Sequence, residues 1–150
     1  MSLTNGHCYL NLKRIMDNVT PSRRSEIMGR VRSRDTKPEM IVRRLVFAMG
    51  YRYRLHGKDL PGKPDLVFRG QKKVIFVHGC FWHRHPECSL ARLPKSREEF
   101  WLPKLDANRQ RDIKNERALL AAGWSALTIW ECELVDLAKL ETRIKEFLNA

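Results

Sequence analysis

Apolar positions along the chain change their spacing several times, and each change marks an element. Ile27, Met28 and Val31 make a narrow apolar side in an Arg-rich stretch over residues 22–34, which predicts a short helix with Ser22 as its N-cap. Thr36-Lys37-Pro38-Glu39 is a stronger start signal, with Thr at the cap, Pro in the first turn and Glu three residues after the Thr. The helix it opens puts Met40, Ile41, Leu45, Val46 and Met49 on one face and stops at Gly50. Alternation over residues 51–55 predicts a strand. Leu66-Val67-Phe68 and the β-branched run over residues 74–77 predict two more, joined as a hairpin through Arg69-Gly70-Gln71-Lys72-Lys73. Ser96-Arg97-Glu98-Glu99 predicts a further capped helical turn carrying Phe100 and Trp101, with a restart at Pro103. Leu105, Ile113, Leu119 and Leu120 form its apolar side, and Gly123 closes it. A buried strand over 124–130 and a helix over 134–148, with Leu137, Leu140, Ile144 and Leu148 inward, complete the pattern. The order α, α, β, β, β, loop, α, β, α predicts one mixed-sheet α/β domain over residues 21–150. Residues 1–20 show no sustained periodicity and read as a loose arm with no assigned role.

Composition narrows the class. With 43% hydrophobic and 31% charged residues in 150, the chain can bury a core without covalent staples. No run approaches the roughly 20 apolar residues of a membrane helix, and the N-terminus lacks a signal peptide's apolar core, so a cytoplasmic protein without a membrane partner is expected. The net charge of +12 and a pI near 10.0 point to a polyanion, nucleic acid first. Between Lys13 and Arg54 there are twelve Lys and Arg against four acids, a distribution suited to a phosphate-facing surface.

The chemistry concentrates after the strand at 74–77. Gly79 permits a sharp turn, and behind it come Cys80-x4-His85-x2-Cys88, with Phe81, Trp82 and His83 between. Two thiols and an imidazole at this spacing suit one tetrahedral Zn²⁺ if a fourth ligand arrives from elsewhere, and Cys132 is the candidate. Four cysteines also allow two disulfides, but thiols clustered with imidazoles in a reducing compartment favour metal and leave Cys8 a spectator. In the hairpin, the start of one strand lies beside the end of the other, which brings Asp65 next to Val77 and His78. A carboxylate, a main-chain carbonyl and imidazoles at one sheet end can hold a hard cation and activate water. The plainer alternative for Asp65 is a turn residue after Pro64; for Met28, Phe81 and Trp82 it is packing in the core.

Pro64-Asp65, Phe76-Val77-His78-Gly79-Cys80-Phe81-Trp82-His83, Glu99-Phe100-Trp101, Asn108, Asp112 and Trp130-Glu131-Cys132 together resemble the very short patch repair endonuclease family, over about residues 22–134. The resemblance implies a restriction-endonuclease-like fold and a DNA mismatch endonuclease that nicks beside the T of a T:G mismatch left by deamination of 5-methylcytosine. It implies structural Zn²⁺ on Cys80, His85, Cys88 and Cys132, and catalytic Mg²⁺ on Asp65 and the Val77 carbonyl. His83 would be the general base with Glu39 as its orienting partner, and His78 a second active-site imidazole. Asn108 and Asp112 would stand near the hydrated metal. Phe81, Trp82 and Trp101 would form an aromatic wedge entering the duplex, with Met28 inserted from the opposite groove. The partners implied are double-stranded DNA with a T:G mismatch and other mismatch-repair proteins, the enzyme itself acting as a monomer. Pro86-Glu87 lengthens the loop before Cys88 by one residue, which leaves His83 or Glu87 as alternative zinc ligands to His85. A sequence-specific restriction nuclease, or a zinc-stabilised DNA-binding protein without catalysis, would share many of these residues.

Overall fold

The computed structural model describes residues 19–150, so Cys8 and the arm up to residue 18 lie outside it. Among the described residues, four α-helices and four strands follow in the expected order: α1 (Pro21–Gly29), α2 (Lys37–Ala48), β1 (Arg54–Leu55), β2 (Leu66–Phe68), β3 (Lys73–His78), α3 (Glu98–Ala121), β4 (Ser125–Trp130) and α4 (Leu137–Asn149). The sheet order is β1-β2-β3-β4, antiparallel up to β3 and parallel between β3 and β4. Parallel pairing needs a long crossover, which the loop after β3 and α3 supply. The chain is thus a single α/β domain with a mixed sheet. No described helix is long and apolar enough to cross a membrane.

Side chains alternate across β3 and feed two cores. Ile75 packs with Val42 and Val46 of α2 and with Leu140, Ile144 and Leu148 of α4, whereas Val74 and Phe76 pack with Leu119 of α3. Both faces of the sheet are therefore covered, and β3 is held between them. A third cluster of Phe81, Trp101 and Leu105, with Ile27 and Met28 against it, seats α1 and the loop after β3 on the start of α3.

Several starts and stops differ from expectation. Thr20, not Ser22, caps α1, because Thr20-Pro21 supplies a cap oxygen and an N1 proline; its Oγ accepts from the Arg23 amide. Ser96 caps nothing: Arg97 sits at the cap position in a left-handed conformation without a side-chain bond. Pro103 does not restart a helix but lies inside a continuous α3. Its missing N–H removes one bond from the helix ladder, and burial of Trp101 and Leu105 on either side holds the helix together. Leu120 is exposed rather than inward, as is Leu137, since α4 begins only after a turn of 3-10 helix over Glu131–Val135. β1 is two residues long, and β4, the outer strand, is largely half-buried. At Thr36 the expectation holds: its Oγ accepts from the Glu39 amide, and Gly50 follows the helix end at φ +91.

Candidate active site and metal centre

β3 delivers its last residues into a cleft of about 600 Å³ between α3, the loop after α1 and the loop that precedes β2. Asp65, Val77, His78, Trp82, His83 and Asp112 all line it. Arg32, Arg34, Lys58 and Lys63 line it too, so the cleft combines basic side chains with carboxylates and imidazoles. Lys63 holds a left-handed φ of 51, a conformation costly for a residue with a side chain.

Asp65 is placed as the hairpin geometry predicts. β2 ends its pairing at Leu66↔Ile75, so Val77 extends past it, and its amide donates to Asp65 Oδ2 at 2.7 Å. A strand residue points its N–H and C=O from the same edge, which puts the Val77 carbonyl on the Asp65 side. Burial pushes the Asp65 carboxyl up to about 6; the Val77 amide pulls the other way, and the Glu39 carboxylate adds repulsion. A buried carboxylate short of positive charge, beside a main-chain carbonyl, is the donor set of a hard divalent cation, and Asp65 and Val77 fit one.

His78 and His83 stack face to face, with ring centroids 3.8 Å apart and planes 6° from parallel. Burial, with a smaller part from His83, pushes the His78 imidazole down to about 3, so it is neutral at working pH. His83 Nδ1 lies 2.6 Å from Asp112 Oδ2 on α3. Here the structure corrects the expected pairing: Asp112, not Glu39, orients His83. Glu39 is spent elsewhere, accepting from the Asp35 amide at 3.0 Å and the Arg43 guanidinium at 2.9 Å. Arg43 is itself buried and also binds Asp35, so removing either acid would leave a buried cation poorly matched. Asn108 is one helical turn before Asp112 and donates to the Trp82 carbonyl at 3.2 Å, fixing the loop rather than facing a cation.

Cys80, His85, Cys88 and Cys132 converge so that one donor atom from each lies within 4.8 Å of every other. His85 Nδ1 is 3.6 Å from Cys80 Sγ and 3.4 Å from Cys132 Sγ. Ideal tetrahedral zinc with thiolate and imidazole bonds requires about 3.6 Å between such atoms, so the quartet fits the ion. His85 is the imidazole in this set; His83 is turned to Asp112, and the longer loop is accommodated by left-handed Arg84 and Glu87. Burial pushes the Cys80 and Cys132 thiols up and the His85 imidazole down, the pattern of a site whose thiolates need a cation. Trp130 joins the two regions: its indole stacks on His85 at 4.2 Å and meets His78 edge-on at 5.4 Å.

The aromatic residues divide. Phe81 and Trp101 are buried in the third core cluster, contrary to an exposed wedge, because α1 and α3 close over them. Trp82 and Met28 are half-buried and reach the cleft, and Trp82 Nε1 is a buried donor without a described partner.

A family model described as DNA mismatch endonuclease Vsr matches residues 16–90. The chain belongs to the Vsr family of DNA endonucleases. It is 52% identical over 133 residues to the type II nicking enzyme V.XorIIP of Xanthomonas oryzae pv. oryzae, spanning 89% of this chain and 97% of that relative. Identity to V.NmeAIP, a type II nicking enzyme of Neisseria meningitidis, is 43% over 133 residues, spanning 89% and 94% of the two chains. To the DNA mismatch endonuclease Vsr of Escherichia coli it is 41% over 117 residues, spanning 78% and 74%. Membership in the Vsr family makes DNA the partner of the chain. Two features of this Vsr-family site were missed in the sequence: the His83–Asp112 pair and the Glu39–Arg43 pair. The second was open to reading, since Glu39 and Arg43 stand four apart on a helix with a firm start.

Proposed function

We propose that the chain nicks double-stranded DNA beside the T of a T:G mismatch by Mg²⁺-dependent phosphodiester hydrolysis, acting as a monomer on a restriction-endonuclease-like fold. The observation that carries this reading is the convergence of Asp65, the Val77 carbonyl and the His83–Asp112 pair in one basic cleft. Asp65 and the Val77 carbonyl would hold Mg²⁺, which would supply a Lewis acid for the phosphate and lower the pKa of attacking water. His83 takes the water's proton through the ring nitrogen that Asp112 leaves open, and Asp112 fixes the tautomer and steadies the imidazolium. His78, neutral and stacked on His83, holds that ring in plane without competing for the proton. Cys80, His85, Cys88 and Cys132 would hold Zn²⁺ and so anchor the loop that carries His83 and Trp82.

Phosphate contacts from Arg32, Arg34, Lys58 and Lys63 give affinity without sequence information. Selection of the mismatch falls to the base stack: Trp82, with its unspent N–H, and Met28 are at the cleft surface, and Phe81 follows only if its cluster opens. A mismatched step unstacks at lower cost than a paired one, so insertion itself discriminates. The decisive experiment compares nicking of a T:G duplex with its C:G counterpart in Mg²⁺. Strong preference for T:G is expected; equal cutting of both would assign a restriction-type nuclease instead, and cutting of neither a binding protein.

Burial separates the roles of the neighbouring rings. Phe81→Ala should lose about 3 to 5 kcal/mol of stability in urea unfolding, as a fully packed Phe does. Trp82→Ala should stay folded and lose the T:G over C:G preference. A Trp82→Ala enzyme that discriminates like the parent would remove Trp82 from mismatch selection.

A further inference from the structure

We propose that Arg43 is a positioning residue for DNA: it clasps the loop after α1 to the loop between β1 and β2, and so fixes the spacing of the basic side chains that line the cleft. Arg32 and Arg34 belong to the first loop, Lys58 and Lys63 to the second. Among the described residues, no main-chain hydrogen bond joins the two loops. Their side chains meet at Arg43 instead. From α2, Arg43 Nη1 donates to Asp35 Oδ1 at 2.6 Å, and Nη2 lies 3.3 Å from His56 Nε2. A guanidinium can only donate, so the imidazole nitrogen accepts. Nη2 also donates to Glu39 Oε2 at 2.9 Å, and the Tyr53 hydroxyl, just ahead of β1, donates to the Arg43 carbonyl at 2.9 Å. Side chain and main chain of the hub are thus both fixed.

The clasp is more than an incidental ion pair. Asp35 and His56 both adopt a left-handed φ, 52 and 50, a conformation uncommon for residues with side chains and kept where the surroundings hold it. Arg43 is only 7% exposed, so its charge is directed at these partners and not at phosphate. The Asp35 side chain, by contrast, is 60% exposed beside Arg34 of the cleft lining, where its charge opposes a polyanion. Asp35 therefore works against DNA by charge and for DNA by geometry, and the two effects have opposite signs on substitution. Holding the loops in advance removes an ordering cost that DNA binding would otherwise carry. The effect on DNA rests on the reading of the cleft as the DNA site; the joining of the loops does not.

The test uses the full chain and a T:G duplex, with fluorescence anisotropy in the absence of added Mg²⁺ for binding and nicking in Mg²⁺ for kcat and KM. Glycine suits a left-handed φ, so Asp35→Gly and His56→Gly remove the clasp's side chains where the backbone accepts the change. Each should weaken binding and raise KM about fivefold or more, with kcat of Asp35→Gly within about twofold of the parent. The double variant should bind about as well as the weaker single, since one clasp is broken either way. Asp35→Asn keeps an oxygen for Nη1 and loses the opposing charge, so it should bind at least as tightly as the parent. Amide hydrogen exchange over residues 30–36 should quicken in His56→Gly, in a loop that carries no substitution. Asp35→Gly binding as tightly as the parent, additive losses in the double variant, or unchanged exchange over residues 30–36 would each overturn the proposal. A parent that binds the duplex but never nicks it would instead defeat the proposed function and leave the clasp standing, since binding and exchange are read without cleavage.

Discussion

Asp65→Asn is expected to abolish nicking while making the metal-free protein more stable. The loss of activity should be on the order of 10³-fold or more, since the variant keeps the shape of the site but not the charge that holds Mg²⁺. DNA binding should be nearly unchanged, because the basic side chains of the cleft are untouched. The gain in stability follows from burial. Asp65 ionises near 3.8 in the unfolded chain and near 6 in the folded one, so the unfolded state holds fewer protons between those values, and stability falls as pH rises through that window. Asparagine can still accept the Val77 amide but carries no charge to desolvate. At pH 7 it should therefore be more stable by about 2 kcal/mol in urea unfolding, with the difference vanishing below about pH 4. A variant that is less stable than the parent at pH 7, or that still nicks, would contradict the assignment.

Cys132→Ser should have the largest effect on folding. Cys132 joins the Cys/His cluster from just beyond β4, so its loss opens a contact between distant parts of the chain. Structural zinc contributes more than about 10 kcal/mol in peptides that have no other core; with three cores here, a loss on the order of 5 kcal/mol is expected. That should lower Tm by about 10 °C or more. Stoichiometric zinc in the parent and less than one equivalent in the variant, measured by elemental analysis, is the accompanying result. Nicking should fall as well, because Trp130 touches both His85 and His78 and transmits the slack. A variant with full zinc and parental stability would exclude the site.

The two halves of the candidate site were unequally legible. Asp65 beside Val77 followed from strand direction in a short hairpin, a local rule that tertiary packing did not disturb. The convergence of three cysteines and a histidine followed from ligand type and spacing, and the structure adds that His85 is the imidazole of the set. His83's partner did not follow, because α3 reaches the cleft by a long crossover and nothing in the sequence sets its phase against β3. Asn108 and Asp112 share a turn, but a polar pair on a charged helix looks like any solvated face. The aromatic residues are a different case: Phe81 and Trp101 look the same in the sequence whether they await a ligand or fill a core, and only the structure shows α1 closed over them. Among the caps, Thr20-Pro21 carries the same signal as Thr36 and Pro38, a threonine followed by a first-turn proline, and it prevails over Ser22.

The clasp on Asp65 is made by a main-chain amide, and this has a consequence for how the site tolerates inheritance. Whatever side chain a lineage places at position 77, the N–H that holds Asp65 and the carbonyl beside it remain, provided the residue is not proline. Drift at this position is therefore free to answer to the core beneath it, and of the groups that would hold Mg²⁺ only one carboxylate is exposed to loss by an ordinary substitution.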